Sequence, residues 1–164
     1  MTDQRVGLGV DVHPFALEPP PGRPLVLGGV TFPGECPLEG HSDADVIAHA
    51  VADAMLGAAG LGDLGAHFPD TDPSFSGANS IELLRGVAGL VEAAGWSLAN
   101  ADCTLVGERP KVAAHREEMV ARLSAAAGGP VSVKATRPER LGSLGRVEGL
   151  ACLAVALVTR TAAR

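Results

Sequence analysis

The stretch "GHSDADVIAHAVADAMLGAAG" (residues 40–60) changes the period of the chain. From Ser42 onward, Val46, Ile47, Ala50, Val51, Ala54, Met55 and Ala58 recur at helical spacing and Gly60 supplies a stop, so a helix is expected here. At about 100° per residue, His41, Asp45 and His49 fall on one stripe, with successive members about 40° apart. A chain with 5 histidines in all thus sets His41 and His49 on one helical stripe with acids between them. His49 sits among Ile47, Ala48, Ala50 and Val51, where a polar group needs a partner or costs stability.

Working outward, the flanks have other periods. "RVGLGVDVHPF" (5–15) alternates around Asp11, Val12 and His13 and reads as a strand ending at Pro14. "EPPPGRP" (18–24) forbids regular structure, "LVLGGVTF" (25–32) reads as a second strand, and "PGECPLEG" (33–40) is a loop. Past the helix, "LGDLGAHFPDTDPSFSGA" (61–78) carries Gly, Pro and Asp too densely for a regular element and reads as a long functional loop. "NSIELLRGVAGLVEAAG" (79–95) is a second helix with Ser80 as N-cap and Gly95 as its stop. "SLANADCTLVGE" (97–108) is a third strand and "HREEMVARLSAAAGG" (115–129) a third helix. "VSVKAT" (131–136) and "VEGLACLAVALV" (147–158) are strands four and five, the last apolar enough to be buried on both faces. The "RTAAR" end (160–164) reads as frayed. Strands alternating with helices predict an α/β (α+β) fold: a mixed β-sheet with helices packed on it.

At 164 residues one domain, 1–164, suffices to bury a core. The chain is 46% hydrophobic but 3% aromatic, so that core must be built from Ala, Val and Leu. A net charge of -6 without a run of Lys or Arg argues against a nucleic-acid surface. Cys36, Cys103 and Cys152 form no C-x-x-C pair, which suggests neither a disulfide framework nor a thiolate zinc site and fits a reducing compartment. The start has no apolar core of signal-peptide length, and "LACLAVALV" (150–158) is too short to span a bilayer. A soluble, cytoplasmic protein is expected.

Asp11 and His13 lie two apart on a strand, so their side chains leave one face. His49 completes a set of one carboxylate and two imidazoles if the helix runs beside that strand, a set that suits Zn, Mn or Fe(II) and leaves positions open for a ligand. Taken alone, a His before Pro at a strand end is more often a satisfied polar residue, and Asp45 and Asp53 serve equally as solvated helix residues. The joint pattern favours the metal. Fe(II) oxygenases use the same residue types, but in the order His-x-Asp on an all-β jelly roll, whereas here the order is Asp-x-His and His49 is helical. His41 and Ser42 precede the helix, where free N–H groups favour a phosphate, although Ser42 by itself is better read as a plain N-cap bonding the Asp45 N–H. Lys111, Lys134, Arg137, Arg140 and Arg146 are further candidate phosphate binders. Glu139 stands among them, as a carboxylate that brings Mg²⁺ to a phosphate would. The residues alone therefore describe a metal-assisted site with phosphate features.

Together, "DVHPF" (11–15), residues 40–80 as a nearly gapless block, "RPKVAAH" (109–115) and "VKATRPERLGSLGRVEG" (133–149) closely resemble the 2-C-methyl-D-erythritol 2,4-cyclodiphosphate synthase family of non-mevalonate isoprenoid biosynthesis. The resemblance implies a homotrimer, its sheets around a three-fold axis and its active sites between subunits. It implies cyclisation of 4-diphosphocytidyl-2-C-methyl-D-erythritol 2-phosphate, the 2-phosphate oxygen attacking the β-phosphorus and expelling CMP. Asp11, His13 and His49 would hold a divalent ion, Zn or Mn, and Glu139 would hold Mg with the substrate phosphates. His41 would steady charge on the transferred group, with Ser42 beside it. Asp63, Gly65 and the loop of Phe68, Pro69, Asp70, Thr71 and Asp72 would hold the erythritol. Gly107, Pro110, Lys111, Val112, Ala113 and Thr136 would reach the cytidine and phosphates from the next subunit, with Ser143 and Arg146 also on the substrate. Asp45 and Asp53 would stand behind the ligands, bonding the metal-bound imidazoles. The chain departs from the family where "KATRPE" replaces "KATTTE", which puts Arg137 in the place of a phosphate-binding Thr. Ser143 replaces a common aromatic, and Ala114 a Pro.

Overall fold

A computed structural model of the chain describes residues 2–161. Its frame is a sheet of β1 (Thr2–Pro14), β4 (Ser97–Val106), β5 (Val131–Thr136) and β6 (Gly149–Thr161), in the order β1-β6-β4-β5. β6 runs antiparallel to both β1 and β4, and β4 is parallel to β5, so the sheet is mixed as expected. A parallel pair requires a crossover, and α4 (Arg116–Ala127) supplies it. The helices α1 (Val46–Ala59), α3 (Ser80–Ala93) and α4 cover one face: α1 lies on β1 and β6, α3 against α1 and α4, and α4 on β5. The shorter α2 (Leu64–His67) and α5 (Gly142–Gly145) lie in the connections.

The central helix stands where the period placed it, ending at Gly60 in the left-handed conformation. Its other end differs from expectation. The N-cap is Asp45, whose carboxylate accepts the N–H groups of Ile47 and Ala48, while Ser42, three residues earlier, accepts the Ala44 N–H through its Oγ. His41 thus precedes the helix and does not share a helical stripe with His49. The helix N-terminus is closed by a buried carboxylate, and His41 and Ser42 lie in the loop before it.

Residues 25–32 are a hairpin, not one strand: β2 (Leu25–Leu27) pairs antiparallel with β3 (Val30–Phe32). Gly28 and Gly29 make the two-residue turn, with φ of 56° and 75°, backbone that glycine adopts without a Cβ penalty. Their N–H groups point at Asp45 and bond its Oδ1 and Oδ2 at 2.8 and 2.6 Å. One carboxylate therefore ties the hairpin to the helix start. Burial, with the nearby charge of Asp43, pushes the Asp45 carboxyl up to about 6 against the pull of these N–H groups.

Residues 61–78 hold α2 and a single 3-10 turn at Pro73–Phe75 within the expected loop. α3 is capped by Asn79, not Ser80. β6 is not buried on both faces in the single chain. Cys152, Ala154, Ala156 and Val158 face the helices, and Leu153 and Val155 are exposed beside Val6, Leu8, Val10 and Val12 of β1. β6 runs on through Arg160 and Thr161, so that part of the supposedly frayed end is strand, and residues 162–164 lie outside the described ones. Among the described residues no helix is long and apolar enough to cross a membrane.

The approach of α1 to β1 is closer than side chains permit. A Cβ on Gly7 would stand 2.0 Å from the Ala54 carbonyl oxygen, and one on Gly9 the same distance from that of Ala50. Since such overpacking forces the backbone to shift, Gly9→Ala is expected to lower the unfolding free energy by about 1–3 kcal/mol. A chemical denaturation midpoint equal to that of the parent chain would refute this.

Candidate active site

Alternation on β1 turns Asp11 and His13 toward the helix layer, and the close seat of α1 brings His49 to them. His13 Nε2 and His49 Nδ1 lie 3.1 and 3.0 Å from the same oxygen, Asp11 Oδ2. These three are a group whose donor atoms all lie within 4.8 Å of one another. Ligands around a tetrahedral ion at about 2.0–2.2 Å stand roughly 3.3 Å apart, so the spacing suits a small divalent cation.

Ring nitrogens turned away from that point are bonded. His13 Nδ1 donates to the Glu39 carbonyl at 2.6 Å. His49 Nε2 lies 2.8 Å from Ser80 Oγ and 3.2 Å from Ser42 Oγ. The nitrogens that face the carboxylate are therefore the ones free to give a lone pair to an ion once their protons are displaced, the arrangement a metal ligand requires. The residues fit the cation.

Asp45 and Asp53 do not serve these rings. Asp45 is turned into the core, and all four of its partners are backbone N–H groups. Asp53 accepts the Leu64 N–H at 2.7 Å and so holds the start of α2, and burial raises its carboxyl above the ordinary value. Sequence reading missed the residues in that role: Ser80, taken for a cap, and Asp43, which accepts its hydroxyl. It also passed over Arg23, whose guanidinium bonds the carbonyls of Gly40 and Ser42 at 3.1 and 2.7 Å and so brackets His41. The only hint of Ser80 was a cap-capable residue directly after another, Asn79.

The triad opens on a cavity of about 520 Å³. His41, Ser42 and Asp53 line it with the triad, and Gly65, Phe68, Pro69 and Asp70 close the far side. His41 Nε2 lies 3.2 Å from the Asp72 carbonyl, which ties the 68–72 loop to this wall. Asp63 caps α2 through the Ala66 N–H and Asp72 caps the 3-10 turn through the Ser74 N–H, and neither they nor Thr71 line the cavity.

A second cavity, of about 560 Å³, gathers Gly107, Pro110, Lys111, Thr136, Arg137 and Glu139, and it shares no lining residue with the first. Arg137 Nε donates to Glu108 Oε2 at 3.0 Å, and Glu108 Oε1 accepts the Arg140 N–H at 2.7 Å. Val112, Ala113, Ser143 and Arg146 do not line it, Val112 being buried and Arg146 paired with Glu148 at 2.6 Å. Lys134 is not a free phosphate binder either, since it is paired with Asp102. Asp11, Cys152, Leu105 and Ala135 form one row across the sheet. The two cavities therefore lie at the same end of the sheet but on its opposite edges, roughly 14 Å apart at strand spacing.

Fold and site define a class: α/β proteins with a carboxylate–imidazole cation site at the mouth of a ligand-sized cavity. Residues 4–159 match the model of the YgbB family, and the chain belongs to that family. It is 55% identical over 163 residues to the 2-C-methyl-D-erythritol 2,4-cyclodiphosphate synthase of Rubrobacter xylanophilus, covering 98% of both chains. It is 55% identical over 159 residues to the bifunctional enzyme IspD/IspF of Anaeromyxobacter dehalogenans, covering 95% of this chain but only 40% of that one. Among solved structures, that of IspF from Plasmodium falciparum in complex with CDP superposes with a TM-score of 0.82 at 29% identity, covering 97% of each chain.

The charges predict how protons and metal compete. Burial disfavours a charged His13, but the hydrogen bond and charge of Asp11 outweigh it and raise the ring above its ordinary value. Burial likewise opposes ionisation of Asp11, yet the bonds and charges of His13 and His49 hold it well below the usual carboxylate range. In the metal-free chain the pair's stabilisation is full below the ordinary imidazole value and is lost as pH rises through the raised one. At the acid end it is lost as pH falls below the ordinary carboxylate value. A metal ion must displace the His13 proton, so Zn²⁺ binding is expected to release more protons at about pH 6 than at about pH 8. Calorimetry in buffers of differing ionisation enthalpy reads this directly, and equal release at both would contradict it.

Proposed function

We propose that this chain converts 4-diphosphocytidyl-2-C-methyl-D-erythritol 2-phosphate to 2-C-methyl-D-erythritol 2,4-cyclodiphosphate and CMP. One observation carries the reading: the Asp11, His13 and His49 triad at a cavity mouth, in a chain 55% identical to a named synthase along nearly the whole length of both. In this reading the whole of residues 1–164 acts as one cyclodiphosphate-synthase-like domain, in the cytoplasm.

The chemistry asks for positioning more than for a covalent catalyst. A 2-phosphate oxygen attacks the β-phosphorus in line, and the bond from that phosphorus to the bridging oxygen breaks. CMP leaves with the bridging oxygen and its electron pair. No protein nucleophile enters. A divalent ion at the triad, Zn or Mn, and Mg at Glu139 would draw charge from the phosphate oxygens as the bond changes hands. His41 faces the same cavity and would steady the transferred group, with Ser42 beside it. Gly65 and the loop of Phe68, Pro69 and Asp70 would enclose the erythritol.

The cytidine end calls for the second cavity, on the opposite edge of the sheet. We place it against the first cavity of a neighbouring copy, in a homotrimer with its sheets around the three-fold axis. The exposed face of Val6, Leu8, Val10, Val12, Leu153 and Val155 supports this, since a contiguous apolar surface favours burial between copies. There Gly107, Pro110, Lys111 and Thr136 would hold nucleoside and phosphates, with Glu139 holding Mg beside the phosphates. Val112, Ala113, Thr71, Asp72, Asp63, Ser143 and Arg146 would reach the ligand only through that assembly. The CDP held by the Plasmodium falciparum relative supports a cytidine diphosphate ligand.

Purified chain given this substrate with Mg²⁺ and Zn²⁺ is expected to release CMP and to yield a cyclic diphosphate by ³¹P NMR. His13→Ala is expected to lose at least about 1000-fold in turnover, as removal of several kcal/mol of charge stabilisation requires. Absence of product from a metal-loaded trimer would exclude the cyclase and leave a nucleotide binder.

Arg137 is expected to exchange Glu108 for a substrate phosphate, because the Arg137 side chain is solvent-exposed and Glu108 keeps the Arg140 N–H as a partner. Arg137→Thr should then lower kcat/KM by about tenfold or more. Unchanged kcat and KM would remove Arg137 from the site.

A further inference from the structure

We propose that Asp43 and Ser80 are positioning residues of the cation site, a carboxylate–hydroxyl–imidazole chain that dictates which nitrogen of His49 faces the ion. The inference rests on Asp11, His13 and His49 being the cation ligands. It concerns residues that touch neither ion nor substrate.

A neutral imidazole carries a proton on one nitrogen and a lone pair on the other, and a ligand must turn the lone pair to the metal. The direction of hydrogen bonds around His49 can be worked out from the end that has no choice. Asp43 is a carboxylate, an acceptor only, so the Ser80 hydroxyl must donate to its Oδ1. Having spent its single hydrogen, Ser80 Oγ meets His49 Nε2 at 2.8 Å as an acceptor. Nε2 must therefore carry the proton. Nδ1 is then the nitrogen left for the ion, and it is the atom 3.0 Å from Asp11 Oδ2, whose carboxylate it meets through a proton until an ion takes that place.

The chain is anchored at both ends. Asp43 Oδ2 accepts the Ser80 N–H at 3.1 Å, and the Asp43 N–H donates to the Ala78 carbonyl at 3.0 Å. Ser80 is 1% exposed, so water cannot readily take the hydroxyl's place. Ser42 Oγ, 3.2 Å from Nε2, accepts the Ala44 N–H and has Ser80 Oγ at 3.3 Å to take its own hydrogen, which makes it a longer second acceptor for Nε2. His13 reaches the same end by a different device, with the Glu39 backbone carbonyl fixing its Nδ1–H. Only the His49 device depends on side chains, so only it can be removed by substitution. The same chain fixes the orientation of the His49 ring.

The test is metal affinity and ligand geometry, apart from turnover. Titrated with Zn²⁺ alone, Ser80→Ala is expected to bind about 10–100-fold more weakly than the parent chain, with an altered visible spectrum when Co²⁺ is used instead. Ser80→Thr keeps the hydroxyl and should recover most of the affinity. Asp43→Asn, whose amide still accepts, should show a smaller loss than Ser80→Ala. Thermal unfolding of the metal-free variants reads any general damage separately. Long-range proton–nitrogen NMR of the zinc-loaded parent chain needs no variant to fold, and it is expected to show Nε2 protonated and Nδ1 ligated. Ligation through Nε2, or Ser80→Ala binding zinc as tightly as the parent, overturns the proposal. A parent chain that takes up no zinc overturns the cation site itself and the proposal with it.

Discussion

The backbone of β1 rests on the backbone of α1, and the site depends on that contact. At Gly7 and Gly9 the strand meets the carbonyls of Ala54 and Ala50 with no side-chain layer between them. Long side chains at such an interface can change rotamer and let a helix ride up or down. Bare backbone against backbone cannot, because interiors pack at crystal-like density. The contact also lies next to the chemistry. Ala50 follows His49, and Asp11 is two residues on from Gly9, on the same face of the strand. The distance from His49 to Asp11 is therefore set by the tightest packing in the fold, as a ligand site needs if it is to hold sub-ångström geometry.

Two acids in one short loop then divide the work by direction. Asp45 points into the core and binds the hairpin turn to the helix start, while Asp43 points toward α3 and reaches His49 through Ser80. Their charges repel, which with burial is why the Asp45 carboxyl is raised to about 6. The sign follows: charged Asp45 costs stability above that value, and the cost is relieved as pH falls toward the ordinary carboxylate range. Stability is given up where Asp45 must be charged to accept four N–H groups, and the return is a fixed loop from His41 to Asp45. Arg23 closes the same loop from outside, through the carbonyls on either side of His41.

The parts legible from sequence are those governed by local period. The alternation on β1 and the helical repeat of residues 46–58 yield the strand, the helix and the faces of Asp11, His13 and His49, since each period fixes a direction. Caps were not legible in this way. Ser42, Asp43 and Asp45 are all good N-cap residues within four positions, and the choice among them is made by the Gly28–Gly29 turn, which supplies two more N–H groups to Asp45. A hairpin 17 residues upstream in contact order cannot be seen in the helix's own spacing. The same holds for Asn79 and Ser80. Adjacent cap-capable residues differ only in which one the tertiary structure recruits, and Ser80 is drawn off by His49 and Asp43. Residues 25–32, an apolar run with two central glycines, fit one strand by pattern, and only the positive φ of both glycines makes them a hairpin.

The strand that carries the ligands also carries the exposed face. Its odd positions from Gly7 to His13 turn to the helices, and Val6, Leu8, Val10 and Val12 turn away to pair with Leu153 and Val155 in an apolar sheet surface. A surface of this kind is a cost to an isolated chain and an asset to an assembly. The two cavities, on opposite edges of the same sheet end, pose a second problem, since the one ligand of the proposed reaction would span both and would have to find them side by side. The closed ring of copies proposed above would answer both at once: the apolar faces would turn inward to a common axis, and the β5 edge of each copy would come to the β1 edge of the next. In the proposed trimer, burial of Val10 and Val12 and completion of the site around Asp11 are thus coupled through a single strand. Assembly would set the ligand geometry from one face of β1 just as the glycine contact sets it from the other.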